Sequence, residues 1–202
     1  MAVPTCQEPI RNAVHLTVDM QNIFAPGGIW ATPWMERVLP TIVAIAEYDP
    51  VRTVMTRFVP PVSWGDRPGR WQRYFKKWES VTRSRLPLAA LDIIPALGRL
   101  APPATIIDKP AYSAFAESGL AEFLLSKGVS TLIITGAETD VCVLSTVLDA
   151  VDIGFRVIVV EDGLCSSSDD GHDALMTIYR SRFSEQIELM MHADVISLWQ
   201  DQ

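Results

Sequence analysis

Thr131-Leu132-Ile133-Ile134-Thr135-Gly136-Ala137-Glu138-Thr139-Asp140-Val141-Cys142 is the stretch on which the fold turns. A β-rich apolar run over 131–135 meets a glycine and passes into 141–153, where apolar residues recur near helical spacing. Strand, tight turn and helix in that order form the unit of a parallel α/β sheet. Leu132, Ile133 and Ile134 are consecutively apolar, as a strand covered on both faces requires.

The same alternation extends in both directions. Apolar runs at 13–18, 51–56, 104–107 and 156–160 read as strands, and 194–198 reads, less clearly, as a sixth. Between them, 33–48, 116–127 and 170–183 carry helix-spaced apolar residues. The pattern predicts a mostly parallel, six-stranded, Rossmann-like sheet with helices on both faces. No repeat, low-complexity tract or linker interrupts it, so residues 1–202 read as one domain. The segment 58–95 breaks the rhythm with five prolines and three tryptophans, Trp64, Trp71 and Trp78. Such a segment either shapes a site or packs its aromatics on the domain or a second subunit.

Composition narrows the function classes. Seventeen basic against 24 acidic residues leave a formal charge of −7, and no Lys/Arg tract is present. Nucleic acid and anionic membranes are therefore poor partners. No apolar run approaches the ~20 residues of a membrane-spanning helix, and 1–11 has no secretory apolar core. Cys6, Cys142 and Cys165 have neither finger nor C-x-x-C spacing, which fits reduced thiols in the cytoplasm. Six tryptophans suggest more apolar surface than one small domain needs, and so a homo-oligomer, with a dimer favoured.

In open parallel sheets, ligands bind beyond the carboxyl ends of the strands. Those ends here carry Asp19, Arg57, Asp108-Lys109, the Gly136–Cys142 turn and Glu161-Asp162. Cys142 sits at a helix start, where the helix dipole and a nearby Lys109 would lower a thiol's pKa. His15 lies about 13 Å down its strand from that edge, and His172 and His192 come late in the chain, so Asp19 is the better proton acceptor. Gly136 permits a tight turn whose N–H groups could hold an oxyanion. Phe24, Trp64, Trp71 and Tyr112 are candidate walls for a small-molecule substrate. Arg57 could pair with a substrate carboxylate or form a structural ion pair.

Three segments together resemble the isochorismatase-like cysteine hydrolase superfamily, which includes nicotinamidases and N-carbamoylsarcosine amidohydrolases. They are Val18-Asp19-Met20-Gln21-Asn22-Ile23-Phe24, Asp108-Lys109-Pro110-Ala111-Tyr112-Ser113-Ala114-Phe115 and Gly136-Ala137-Glu138-Thr139-Asp140-Val141-Cys142-Val143. The resemblance implies a three-layer α/β/α fold and an Asp19–Lys109–Cys142 triad. It also implies a cis peptide between Ala137 and Glu138, and an oxyanion hole from the N–H groups of Glu138 and Cys142. The activity it implies is hydrolysis of a C–N bond in a small amide, ureido or carbamoyl compound through a thioester, with no cofactor. Metal-binding nicotinamidases carry an Asp and several His after strand two, where this chain reads Arg57-Phe58-Val59-Pro60-Pro61, so no metal is expected. Rival expectations are an isochorismatase-type, non-amide hydrolase, a catalytically retired binding member, or a redox thiol resolved by Cys165.

Overall fold

A computed structural model describes residues 8–200. Six strands form one sheet: β1 (Ala13–Val18), β2 (Thr53–Phe58), β3 (Thr105–Lys109), β4 (Thr131–Ala137), β5 (Arg156–Cys165) and β6 (Ile187–Met190). Their spatial order is β3-β2-β1-β4-β5-β6, and every pairing is parallel. The chain builds outward from β1 to β3, crosses back, and builds outward again from β4 to β6. The direction of winding therefore reverses between β1 and β4, and the crevice between diverging connections opens at their carboxyl ends.

Helices cover both faces, because every residue of β1 and of β4 is buried. On one face, Val14, Leu16 and Val18 pack with Leu120 and Leu124 of α4 (Leu120–Ser126). Val147 and Ala150 of α5 (Leu144–Ile153) and Leu175, Met176 and Tyr179 of α6 (Asp169–Arg182) complete that layer. On the other face, Met35, Val38 and Ile42 of α1 (Met35–Tyr48) and Leu97 of α3 (Pro95–Gly98) pack over Met55. Val195 of α7 (His192–Leu198) joins Ile133, Ile158 and Val160 there. The result is the expected three-layer α/β/α arrangement.

The expected sixth strand at 194–198 is a helix instead, and β6 lies earlier. Val195 and Trp199 are buried four residues apart, a helical repeat that prevails over the run of β-branched residues. Ile187–Met190 is only four residues long, too short for alternation to mark it in the sequence. The irregular 58–95 segment contains one further α-helix, α2 (Arg70–Lys77), and two short 3-10 helices at Glu79–Val81 and Leu88–Leu91. No helix among the described residues is long and apolar enough to cross a membrane.

Candidate active site

Three chain segments converge at the carboxyl end of the sheet. Asp19 follows β1 in the left-handed region, with φ +52°, which turns its carboxylate off the strand and into the crevice. A non-glycine residue rarely holds that conformation without enforcement from its surroundings. Enforcement comes from Thr56 on β2, whose hydroxyl donates to Asp19 Oδ1 at 2.8 Å and accepts from the Asp19 N–H at 3.2 Å.

Lys109 closes β3 and reaches back beneath the neighbouring strands. Its Nζ lies 2.7 Å from Asp19 Oδ2, with both side chains fully buried. The same ammonium donates to the carbonyls of Ala111 at 2.9 Å and Tyr112 at 2.8 Å. Two hydrogen bonds and one ion pair therefore hold the ammonium in place. Burial opposes the charge on Lys109, but Asp19 and Cys142 outweigh it and hold its pKa above that of an ordinary lysine.

Cys142 is supplied by the turn after β4. Gly136 has φ +115°, and a Cβ there would stand 2.1 Å from the Val18 carbonyl oxygen, so only glycine lets β4 run this close to β1. The Ala137–Glu138 peptide is cis. Residues Thr139–Val143 then wind as a single π-turn, with Val143 N–H donating to Glu138 O at 3.1 Å, before α5 begins. Such turns are rare and recur at functional sites. Burial pushes the Cys142 thiol well above the ordinary cysteine range; Lys109 pulls it down, and Asp19 pushes it up by charge and hydrogen bonding. Lys109 thus pulls the thiol down as expected, but desolvation outweighs the ammonium and the thiol pKa is raised.

A cavity of about 240 Å³ opens onto Cys142. Its walls are the aromatic rings of Phe24, Trp30, Phe58, Tyr74, Trp78 and Tyr112, with Glu138, Val141 and Cys142 completing the lining. Trp30 is central, within 6.2 Å of the ring centroids of Phe24, Phe58, Tyr74 and Trp78.

The expected wall residues divide. Phe24 and Tyr112 line the cavity. Trp71 stands behind it, 4.8 Å from the Tyr112 ring, in an adjoining groove with Arg70. Trp64 is 40% exposed, carries Lys76 over its ring and does not line the cavity. Arg57 is an ion-pair residue: it forks onto Asp108 at 2.6 and 2.9 Å and does not line the cavity either. Sequence reasoning missed Trp30, Phe58, Tyr74 and Trp78. Trp71, Tyr74, Phe75 and Trp78 follow helical spacing, a signal hidden by the prolines around them.

The family model described as Isochorismatase domain matches residues 13–190. The chain belongs to the isochorismatase family. A probable inactive nicotinamidase of Arabidopsis thaliana is 27% identical over 170 residues, covering 81% of this chain and 86% of that one. An N-carbamoylsarcosine amidase from an Arthrobacter species is 31% identical over 150 residues, covering 70% of this chain and 55% of the amidase. A solved cysteine hydrolase from Pseudomonas syringae pv. phaseolicola superposes with a TM-score of 0.81 at 22% identity, over 98% of this chain and 97% of that one. This last likeness concerns the fold.

Among the described residues, no group of three or more His, Cys, Asp or Glu side chains is placed to hold a metal ion. Each described histidine is engaged elsewhere. His15 is buried with Nε2 2.8 Å from the Thr135 hydroxyl, and burial pushes its pKa down to about 3. His192 pairs with Asp162 at 2.5 Å. His172 Nδ1 lies 2.9 Å from the hydroxyl of Thr139, which in turn donates to the Cys165 carbonyl at 3.2 Å. That chain of contacts ties α6 to the π-turn and has no signature in the sequence. Cys165 is buried and free, and Cys6 lies outside the described residues.

Proposed function

We propose that this isochorismatase-family protein hydrolyses a C–N bond of a small amide through a thioester on Cys142. The observation that carries the reading is the buried Lys109–Asp19 ion pair coupled to Cys142, the thiol that lines an aromatic cavity. The names of its relatives, an N-carbamoylsarcosine amidase and a nicotinamidase called inactive, support the bond type.

The charges dictate how the nucleophile is made. Burial holds the resting thiol neutral, so the thiolate must form as the substrate is attacked. Asp19 is the acceptor: Oδ1 is held by Thr56, while Oδ2 has the Lys109 ammonium 2.7 Å away as its counter-charge and no hydroxyl or backbone donor. Proton transfer from Cys142 to Asp19 moves the negative charge from carboxylate to sulfur without changing the total, and Lys109 neutralises it in both arrangements. Sγ then bonds to the amide carbon, the carbonyl π electrons move to oxygen, and the N–H groups of Glu138 and Cys142 receive the oxyanion. Protonated Asp19 returns its proton to the departing nitrogen, leaving a thioester. Asp19 deprotonates water for the second half, and hydrolysis frees the acid and restores the thiol.

The test is ammonia release from a panel of small amides, with Cys142→Ala as the control. Turnover by wild type that falls below about 1% in the variant supports covalent catalysis, which supplies several orders of magnitude. A second reading, a catalytically retired binding member, is favoured by the inactive designation of the Arabidopsis relative. It predicts no turnover of any amide and no acyl adduct on Cys142 when the protein is mixed with excess amide.

A further inference from the structure

The cavity next to Cys142 has aromatic walls and, among the described residues, no available cation. Lys109 does not line the cavity; it donates to the Ala111 and Tyr112 carbonyls and is ion-paired with Asp19. Arg57 is forked onto Asp108, with Asp92 at 3.9 Å on its other side. Arg70 belongs to the adjoining groove, across Tyr74 and Tyr112, and Lys77 lies over the Trp78 ring without lining the cavity. Among the described residues, the one carboxylic acid lining the cavity is Glu138. Ser167 fixes it through its hydroxyl at 2.8 Å and its N–H at 3.4 Å. Its charge is felt inside, where it adds to the upward push on Cys142 and Tyr74.

A substrate carboxylate entering this space would lose its hydration and find aromatic faces, a glutamate and no partner. An apolar or aromatic body would instead bury its surface against six rings, which favours binding in proportion to the apolar area removed from water. We infer that the site selects amides with an uncharged, apolar body and rejects carboxylate-bearing ones, such as ureido acids and half-amides of dicarboxylic acids. The aromatic walls and Glu138 are the selecting elements. The inference rests on the amide-hydrolase reading for its biological meaning and on cavity chemistry alone for its sign.

Iodoacetamide and iodoacetate test it without turnover. Both alkylate a thiolate by the same step: Sγ bonds to the methylene carbon, iodide leaves with the bonding pair, and the thiol proton passes to base. They differ only in amide against carboxylate. The rate ratio of iodoacetamide to iodoacetate at Cys142, read by peptide mass, should exceed that for 2-mercaptoethanol by at least about tenfold, or about 1.4 kcal/mol. Glu138→Gln should shrink the excess severalfold. A ratio at Cys142 equal to or below that of the free thiol overturns the inference. Should Cys142 resist both reagents, calorimetry on Cys142→Ser decides: benzamide must bind and benzoate must bind more weakly, and the reverse order overturns the inference. Turnover of methyl succinamate against succinamate separates this inference from the reading beneath it. Charge selection in alkylation with no amide hydrolysed would sink the amidase reading alone. Hydrolysis that favours the free acid would sink the selectivity alone.

Discussion

Replacing Asp19 with asparagine isolates the charge that the site places beside the thiol. The amide has nearly the same shape as the carboxylate and keeps an oxygen for the Thr56 hydroxyl, which donates to Asp19 Oδ1 at 2.8 Å, so the geometry should survive. What is lost is one buried negative charge that raises the Cys142 pKa both by its field and by its hydrogen bond. Lys109 remains and pulls the thiol pKa down. Two unit charges about 4 Å apart interact by roughly 4 kcal/mol at an effective dielectric constant of about 20, a ceiling equivalent to about three pH units. Relaxation and water entry reduce it, so the expected fall is at least about one pH unit. Lys109→Ala should move the thiol the opposite way, because it removes the one charge that favours the thiolate and leaves a carboxylate beside it. It also strips a buried carboxylate of its partner, at a stability cost of about 3–5 kcal/mol, so its fold must be checked by circular dichroism. The assay is the pH dependence of iodoacetamide alkylation at Cys142, followed by peptide mass to separate it from Cys165. Both variants should hydrolyse amides poorly, yet their inflections should stand on opposite sides of wild type. Unmoved inflections in both, or a rise in Asp19→Asn, would show that the three groups are not coupled as their geometry implies.

Further outcomes follow from single contacts. His172→Phe removes the group 2.9 Å from the Thr139 hydroxyl and should lower kcat about tenfold with KM nearly unchanged, since the contact orients the π-turn rather than the substrate. Partial recovery in His172→Asn would support a positioning role, and a loss confined to KM would oppose it. His15, pushed down to about 3, is buried neutral, whereas an unfolded histidine titrates near about 6.5. Its depressed pKa destabilises the fold progressively as pH falls from about 6.5 toward 3, by up to about 1.4 kcal/mol per pH unit, and the effect is absent above that window. Urea unfolding at pH 7 and pH 5 should show a shallower acid loss in His15→Gln than in wild type; equal losses would refute the assignment. Activity should survive exhaustive chelation, and loss with EDTA restored by zinc or iron would reveal a metal site built from other residues.

Much of this molecule is legible in its sequence because parallel α/β units write themselves as continuous apolar strands. Leu132-Ile133-Ile134 and Val157-Ile158-Val159-Val160 declare two-sided burial, and Asp19, Lys109 and Cys142 fall at strand ends where the winding rule places a site. Three things resisted. The last strand, Ile187–Met190, is too short for periodicity, while the helix at Val195 mimics a strand with β-branched residues. The cavity walls come from loops and from α2, whose helical aromatic spacing lies between prolines, so the sequence points to exposed Trp64 rather than to Trp30, Tyr74 and Trp78. The thiol's electrostatics follow from more than its neighbours; burial, which no linear sequence states, is the largest influence and outweighs the pull of Lys109.

The central claim is a covalent intermediate at Cys142, and the direct measurement is its mass. Wild-type protein mixed with an excess of a hydrolysable uncharged amide, quenched in acid within the first turnovers and digested, should yield the Cys142 peptide heavier by the acyl group. The adduct should disappear on treatment with hydroxylamine, as a thioester does, and should be absent in Cys142→Ala. Amide hydrolysis with an unmodified Cys142 under single-turnover quench, or undiminished hydrolysis by Cys142→Ala, would contradict the account.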